Sequence, residues 1–350
     1  MKILLISNMY PSGGSPFYGI FVKNFESQMI DKGVMVESVV IRGRSNSIFR
    51  KVLQYFIFMF SVIRAVFNNN FDIIYVHYAK HSLIPLALIS RFIKKPVVIN
   101  AHGDDITESS LLLRFVSDLI VGSDLLVVPS EYFRDIASKR FNHDNVFVSP
   151  SAGVDTKQFS PVLKSTNHDI FTIGYVSRVD PGKGWDVLLN ACVLLKNGSV
   201  NFRVHIIGAG NDEQRLLDKI TDLGLEDVVF YFGPKPHNSL QEYFNEMDLF
   251  VFPTMLHESL GLVGLEAMAC AVPVVGSNIG GLPSYIKDSV NGKLFTPGDF
   301  RQLAETIESF TDMDKNLLSS FKASARDTAE LYDSDIVTQN LLVKLNEVIG

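Results

Sequence analysis

The feature that most constrains the fold is a repeated alternation of short apolar runs with longer stretches of helical periodicity. In the first half the runs are Ile3 to Ser7, Met35 to Ile41, Ile73 to His77, Val97 to Ala101, Leu125 to Pro129 and Val146 to Ser149. Most are apolar throughout and too short for a helix, so they read as strands buried on both faces. Such strands separated by helices predict a parallel, doubly wound α/β sheet, with its ligand crevice at the carboxyl ends of the strands. The alternation starts again at Phe171 to Ser177 and continues through Leu249 to Phe252 and Pro273 to Gly276. A chain of 350 residues is long enough for two such domains, each with its own core.

Composition narrows the class. With 47% apolar and 20% charged residues the chain reads as a globular α/β protein, and its two cysteines, Cys192 and Cys270, as core thiols in a reducing compartment. The opening MKILLIS turns polar at Asn8, unlike a secretory leader, and the uncharged run Val52 to Ile63 is too short to span a bilayer. Residues 1 to 150 carry 16 Lys and Arg against 12 Asp and Glu, a balance of +4. Subtraction from the totals of 32 and 38 leaves 16 against 26, a balance of −10. The basic half has no aromatic-and-basic reading face, so nucleic acid is not the expected partner, and an anionic lipid surface is. Residues 48 to 67, IFRKVLQYFIFMFSVIRAVF, form a helix that either packs on the sheet or dips an aromatic face into a membrane leaflet. Arg42, Arg44, Arg50, Lys51 and Arg64 flank that face.

The chemistry concentrates in residues 249 to 283. A strand to Phe252, a polar turn and a helix pattern beginning near Leu262 bring unpaired backbone N–H groups and a helix dipole to one point, which suits a phosphate or pyrophosphate. Gly261 would let the ligand approach the backbone. Glu258 and Glu266 are poor anion ligands but good acceptors for ring hydroxyls, a combination that describes a sugar nucleotide. Arg178 and Lys183, around a Pro-Gly turn after another strand, can converge on the same anion. In VVINAHGDD, His102, Asp104 and Asp105 directly follow a strand, where imidazole can donate to developing charge. A glycine-bearing loop leads to Gly19 at a helix entrance. His77 and His81 stand four apart without an evident third ligand, and the GAG at 208 to 210 lacks the third glycine of a dinucleotide fingerprint.

Together, Glu-x7-Glu with AMACxVPVV and GGLP, the HGxD loop, GVDxxxF at 153 to 159 and the Arg178–Lys183 pair resemble, in the same order, the motifs of glycosyltransferase family 4. Leu260, Ala271 and Ser177 stand where that family often has Phe, Gly and Gly. The resemblance implies the GT-B fold, two Rossmann-like doubly wound domains facing across a cleft. Residues 1–165 would bind the acceptor and 166–330 the nucleotide sugar, with a helix in 331–350 crossing back to the first domain. It also implies retaining transfer of a hexose from a UDP- or GDP-linked donor to a hydroxyl. The basic first half, the apolar aromatic helix and the opening unlike a leader together suggest that this hydroxyl belongs to a lipid-linked saccharide in surface polysaccharide biosynthesis. Arg178 and Lys183 would meet the diphosphate, Leu262 and Val263 would lend amides, and Gly19 would close over it. Glu258 would hold the hexose, Glu266 the ribose, Lys235 would lie near the base, His102 near the reacting carbon, and Asp104 or Asp105 would position the acceptor. No metal or cofactor is expected, and the place of action would be the cytoplasmic face of the plasma membrane. A sugar-nucleotide epimerase, an NAD-dependent oxidoreductase and a non-catalytic nucleotide-sugar module are the alternatives.

Overall fold

A computed structural model describes the chain except residues 16–17, 44–46, 109, 151, 163–169 and 199 and the side chain of Asp104. Arg44, one of the cations flanking the apolar helix, is therefore outside the described residues. Six strands of the first half form one parallel sheet: β1 (Lys2–Tyr10), β2 (Met35–Arg42), β3 (Ile73–His77), β4 (Val97–Asn100), β5 (Leu125–Val128) and β6 (Val146–Val148). Their order is β2-β1-β3-β4-β5-β6. The second sheet holds β7 (Phe171–Val176), β8 (Phe202–Ile207), β9 (Val229–Tyr231), β10 (Leu249–Phe252), β11 (Val274–Ser277) and β12 (Gly292–Phe295). Its order, β12-β11-β10-β7-β8-β9, is again wholly parallel. Strands β3, β4, β5, β10 and β11 are buried at every position, which is what runs without polar alternation require when helices cover both faces.

Register fixes where the loops emerge. Ser7 of β1 lies opposite His77 of β3, and His77 opposite Asn100 of β4, so the loops after β1, β3 and β4 leave the first sheet at one end. In the second sheet Phe252 of β10 pairs with Gly276 of β11, and β10 also pairs with β7, so the loops after β7, β10 and β11 do the same. In both sheets the strand order reverses beside the first strand, which is the switch point at which open α/β sheets bind ligands.

The chain divides into two compact units, Met1–Ala152 with Asp335–Gly350, and Gly153–Ser334. The boundary expected near residue 165 falls among residues outside the description, and the division by contacts comes earlier, between Ala152 and Gly153. The last helix, Ser334–Ile349, supplies Leu341, Leu342 and Leu345 to the core that also holds Ile3, Leu5, Ile73 and Val98 of the first sheet.

The apolar stretch forms one helix, Ile48–Asn68. Phe58, Val62, Ala65 and Val66 pack into the first sheet's core, while Phe49, Val52, Leu53, Phe56 and Phe60 are exposed. The helix thus has two apolar faces, only one of them covered by the protein. The expectation that this stretch is too short to span a bilayer needs correction. Its helix continues past Lys51 and Arg64, and over 21 residues it is long and apolar enough to cross a membrane by length and composition. Counting only the uncharged run missed this, because long basic side chains near helix ends do not end a helix.

Candidate active site

In the second unit the site grows from three strand-end loops that are hydrogen-bonded to one another. The loop after β7 makes a tight turn in which Lys183 N–H donates to Asp180 O at 3.2 Å. Gly182 O then accepts from Met255 N–H of the loop after β10 at 2.8 Å. The loop after β11 closes the set, with Gly281 N–H donating to Glu258 O at 2.8 Å. The GAG turn that suggested a dinucleotide fingerprint braces the same region, since Val179 N–H donates to Ala209 O at 3.1 Å and Asp212 N–H to Val179 O at 2.9 Å.

This framework brings Lys183 Nζ to 2.7 Å from Glu258 Oε1, with side chains only 12% and 18% exposed. Thr254, fully buried, donates its hydroxyl to the same carboxylate oxygen at 3.0 Å. A charge pair this sheltered is worth more than a surface one, and its carboxylate is fixed for a further hydroxyl to bond. Sequence reasoning gave Lys183 to a diphosphate and Glu258 to a hexose separately. The fold joins them. Arg178 is more peripheral, 71% exposed and held 2.7 Å from Asp180 Oδ2.

The helix Leu262–Ala269 starts directly after Gly261, whose φ of 83° is left-handed. A Cβ there would lie 2.7 Å from both Leu282 and Phe252, so the protein's own packing requires glycine before any ligand does. Tyr285 fixes this turn by donating its hydroxyl to Gly261 O at 3.1 Å. Leu262 and Val263 occupy the first turn, where N–H groups precede intrahelical bonding. Glu266, one turn further, does not share a partner with Glu258; its Oε1 is 2.9 Å from His237 Nε2. That bond, foremost, raises the His237 pKa, with burial opposing it. Lys235, in the loop leading to His237, sets its ammonium 5.6 Å from the Tyr243 ring centroid.

In the first unit, Gly19 caps the helix Ile20–Asp31, which carries Phe21 onto His102 with ring centroids 4.3 Å apart. His102 Nε2 is 2.9 Å from Nδ1 of His77, the last residue of β3. Burial pushes the His102 pKa down to about 4, and burial together with the neighbouring His102 holds His77 well below its ordinary value. Both imidazoles are therefore neutral at pH 7 and act as hydrogen-bonding groups rather than cations. His77 meets His102, His81 faces the Tyr55 ring at 5.9 Å between centroids, and among the described residues no group of three or more His, Cys, Asp or Glu is placed to hold a metal ion.

Asp105 departs from its expected acceptor-side role. It is fully buried, and its carboxylate accepts from the N–H groups of Ala79, His102 and Gly103 at 2.7, 2.8 and 2.9 Å. It braces the loop that presents His102, and burial raises its pKa to about 6 against those bonds. Sequence reasoning missed His237 and Thr254 as partners of the two glutamates. Thr254 stood in the polar turn already singled out, whereas His237 lies 29 positions from Glu266 with no local signal of the pairing.

Residues 23–158 match the profile of glycosyltransferase family 4, and residues 157–328 that of the glycosyl transferases group 1. The chain belongs to the family 4 glycosyltransferases. Among relatives of this family, the amylovoran biosynthesis glycosyltransferase AmsK of Erwinia amylovora is 30% identical over 59% of this chain and 53% of its own length. A D-inositol 3-phosphate glycosyltransferase of Mycolicibacterium smegmatis is 32% identical over 51% of this chain and 42% of its own length. The chain thus spans about half the length of these relatives. The crystal structure of Anabaena HepE in complex with UDP superposes with a TM-score of 0.79 at 20% identity, covering 99% of this chain and 100% of that one. The two six-stranded parallel sheets have the fold of the GT-B glycosyltransferases.

Proposed function

We propose that this family member is a retaining glycosyltransferase that moves a hexose from a nucleotide diphosphate sugar to a hydroxyl of a lipid-linked saccharide during surface polysaccharide assembly. The observation that carries the reading is the sheltered Lys183–Glu258 pair, set beside the first turn of the Leu262–Ala269 helix. One cation, one fixed hydroxyl acceptor and a helix N-terminus meet the three demands of a sugar diphosphate: neutralised charge, an oriented ring and anchored oxygens. In the proposed step the bond from the anomeric carbon to the diphosphate oxygen breaks and one to the acceptor oxygen forms. The hydroxyl proton leaves with the diphosphate or through water.

Lys183 and Arg178 stabilise the leaving diphosphate, together with the Leu262 and Val263 amides, so the reading calls for no metal. Glu258 holds hexose hydroxyls and Glu266 the ribose. Lys235 lies near the base, and Gly19 starts the helix that backs His102, which meets the transferred sugar as a neutral donor. Asp104 is the remaining acceptor-side candidate. UDP as the donor nucleotide is supported by the HepE complex, and polysaccharide assembly by the name of the Erwinia relative. A lipid-linked acceptor at the cytoplasmic membrane face is supported by the uncovered apolar face of the Ile48–Asn68 helix and the cations Arg50, Lys51 and Arg64 along it.

Thermal shifts with UDP, GDP, ADP, NAD and their sugar conjugates test the donor site. One nucleoside diphosphate at about 100 times its Kd should add about 2.7 kcal/mol, and Lys183→Ala or Glu266→Ala should abolish the shift. A response to NAD alone would overturn the reading. Product NMR from a transfer assay then reads the anomeric configuration, and inversion would refute retention.

A further inference from the structure

Beside its exposed face, the Ile48–Asn68 helix leaves a cavity of about 350 Å³ against the chain that follows β3. Val52, Phe56, Met59, Ile84 and Pro85 line it, with Lys51 also on its wall. This volume is within the usual range for small-molecule sites, and the lining is almost wholly hydrocarbon. The walls are fixed at the ligand end of the first sheet. Asn8 of β1 donates from its side-chain amide to the Tyr55 hydroxyl at 3.2 Å, and its backbone N–H bonds the Ser82 hydroxyl at 2.9 Å. Tyr55 and His81 both face the cavity, with ring centroids 5.9 Å apart. The surrounding sequence is depleted of acids, Asp72 being the sole carboxylate residue between Glu37 and Asp104. Lys51 and Arg50 stand exposed at the start of the helix. Asp105 and Glu108, which reach Ala79 and Lys80 just before His81, are already engaged by that N–H and that ammonium. An apolar cavity with Arg50 and Lys51 at the start of its helix therefore complements an amphiphile whose head is an anion.

We propose that this cavity takes the hydrocarbon chain of a phosphate-bearing lipid, with Lys51 at the phosphate. The inference rests on the lipid-linked acceptor proposed above and deepens it: a single chain leaves the bilayer and is held between the helix and the Ile84–Ile89 segment. The chain then supplies affinity and the phosphate its orientation.

Titration of the full chain with hexyl through tetradecyl phosphate, each kept below micelle formation, tests this. Affinity should climb about fourfold per methylene and then level off once the cavity is full, with inorganic phosphate giving no signal. Met59→Trp should level off at a shorter chain, and Lys51→Glu should weaken every chain by up to about fivefold. An unchanged length profile in Met59→Trp, a climb without a plateau in both proteins, or no saturable binding overturns the proposal. If Met59→Trp does not fold, Val52→Arg at an exposed cavity wall must show the same loss. UDP and anionic vesicles, titrated on the same samples, separate the failures. Alkyl phosphate binding absent while both persist rejects the cavity alone, whereas loss of vesicle binding in the unmodified protein rejects the membrane reading itself.

Discussion

The strand-end loops of the two sheets solve opposite electrostatic problems. In the second unit Lys183, Arg178, Glu258 and Glu266 are charged or paired groups, each held by a partner that leaves part of it to bind something else. In the first unit the comparable loops hold two neutral histidines, one carboxylate fully spent on backbone N–H groups and a Lys80–Glu108 pair whose two charges cancel. The second unit's arrangement suits the strong anion of the proposed donor. The other presents two neutral imidazoles, which suit the sugar hydroxyls of the proposed reaction.

If that contrast is right, the largest effect on stability should come from Asp105→Ala. Deleting the carboxylate leaves three buried N–H groups unsatisfied, which costs roughly 3 kcal/mol or more. The first unit's melting should fall in calorimetry while UDP binding to the second unit survives; an unchanged transition would break the comparison. Lys183→Ala should lower the transfer rate by about one to two decades, from a charge-assisted contact worth roughly 1.5 to 3 kcal/mol. Arg178→Ala, at a mostly exposed position, should cost distinctly less in the same assay. Equal losses would show that the shelter of the Lys183–Glu258 pair does not matter.

Acidity sharpens the contrast further. The His102 pKa is depressed in the fold to about 4, below the ordinary 6.5, so unfolded chains bind its proton first. Its contribution is full above pH 6.5 and is lost as the pH falls toward 4. Asp105, raised to about 6, has the opposite sign: its contribution is present below about pH 4 and lost as the pH rises through 6. The unfolding free energy from denaturant melts should therefore rise more steeply with pH between 4 and 6 in Asp105→Asn than in the parent, and less steeply in His102→Asn. The smallest expected effect is His237→Ala, which frees Glu266 from its partner and should weaken UDP binding by about fivefold, a hydrogen bond's net worth of roughly 1 kcal/mol. An unaltered Kd would remove His237 from the ribose side.

Much of the fold was legible because strand burial is a local signal. Ile73 to His77 matched β3 residue for residue, and Phe171 to Ser177 overran β7 by one. That Lys183 and Glu258 would come to one site was legible as well, since each follows a strand, and the two strands are neighbours in the sheet. Pairings were not. The His77–His102 contact joins residues 25 apart, and nothing in YVHYAKH announces that its first histidine will meet the HGDD loop. Asp105 was misjudged because burial is a property of the folded neighbourhood, while a carboxylate after a strand looks the same in sequence whether it braces a loop or meets a ligand. The Ile48–Asn68 helix was legible as a helix from its apolar content, but not that one apolar face would pack on the sheet while a second stays uncovered.

The return of the Ser334–Ile349 helix to the first sheet has a consequence for biosynthesis. Leu341, Leu342 and Leu345 complete a core whose other members, Ile3 and Leu5 among them, leave the ribosome more than three hundred residues earlier. The middle unit, Gly153–Ser334, is one continuous stretch and can close its core while synthesis continues. The amino-terminal sheet must wait, with one flank uncovered, until Leu341, Leu342 and Leu345 emerge. A nascent chain stalled before Leu341 should therefore be protected from protease in its middle and cut in its beginning, the reverse of the order in which the two were made.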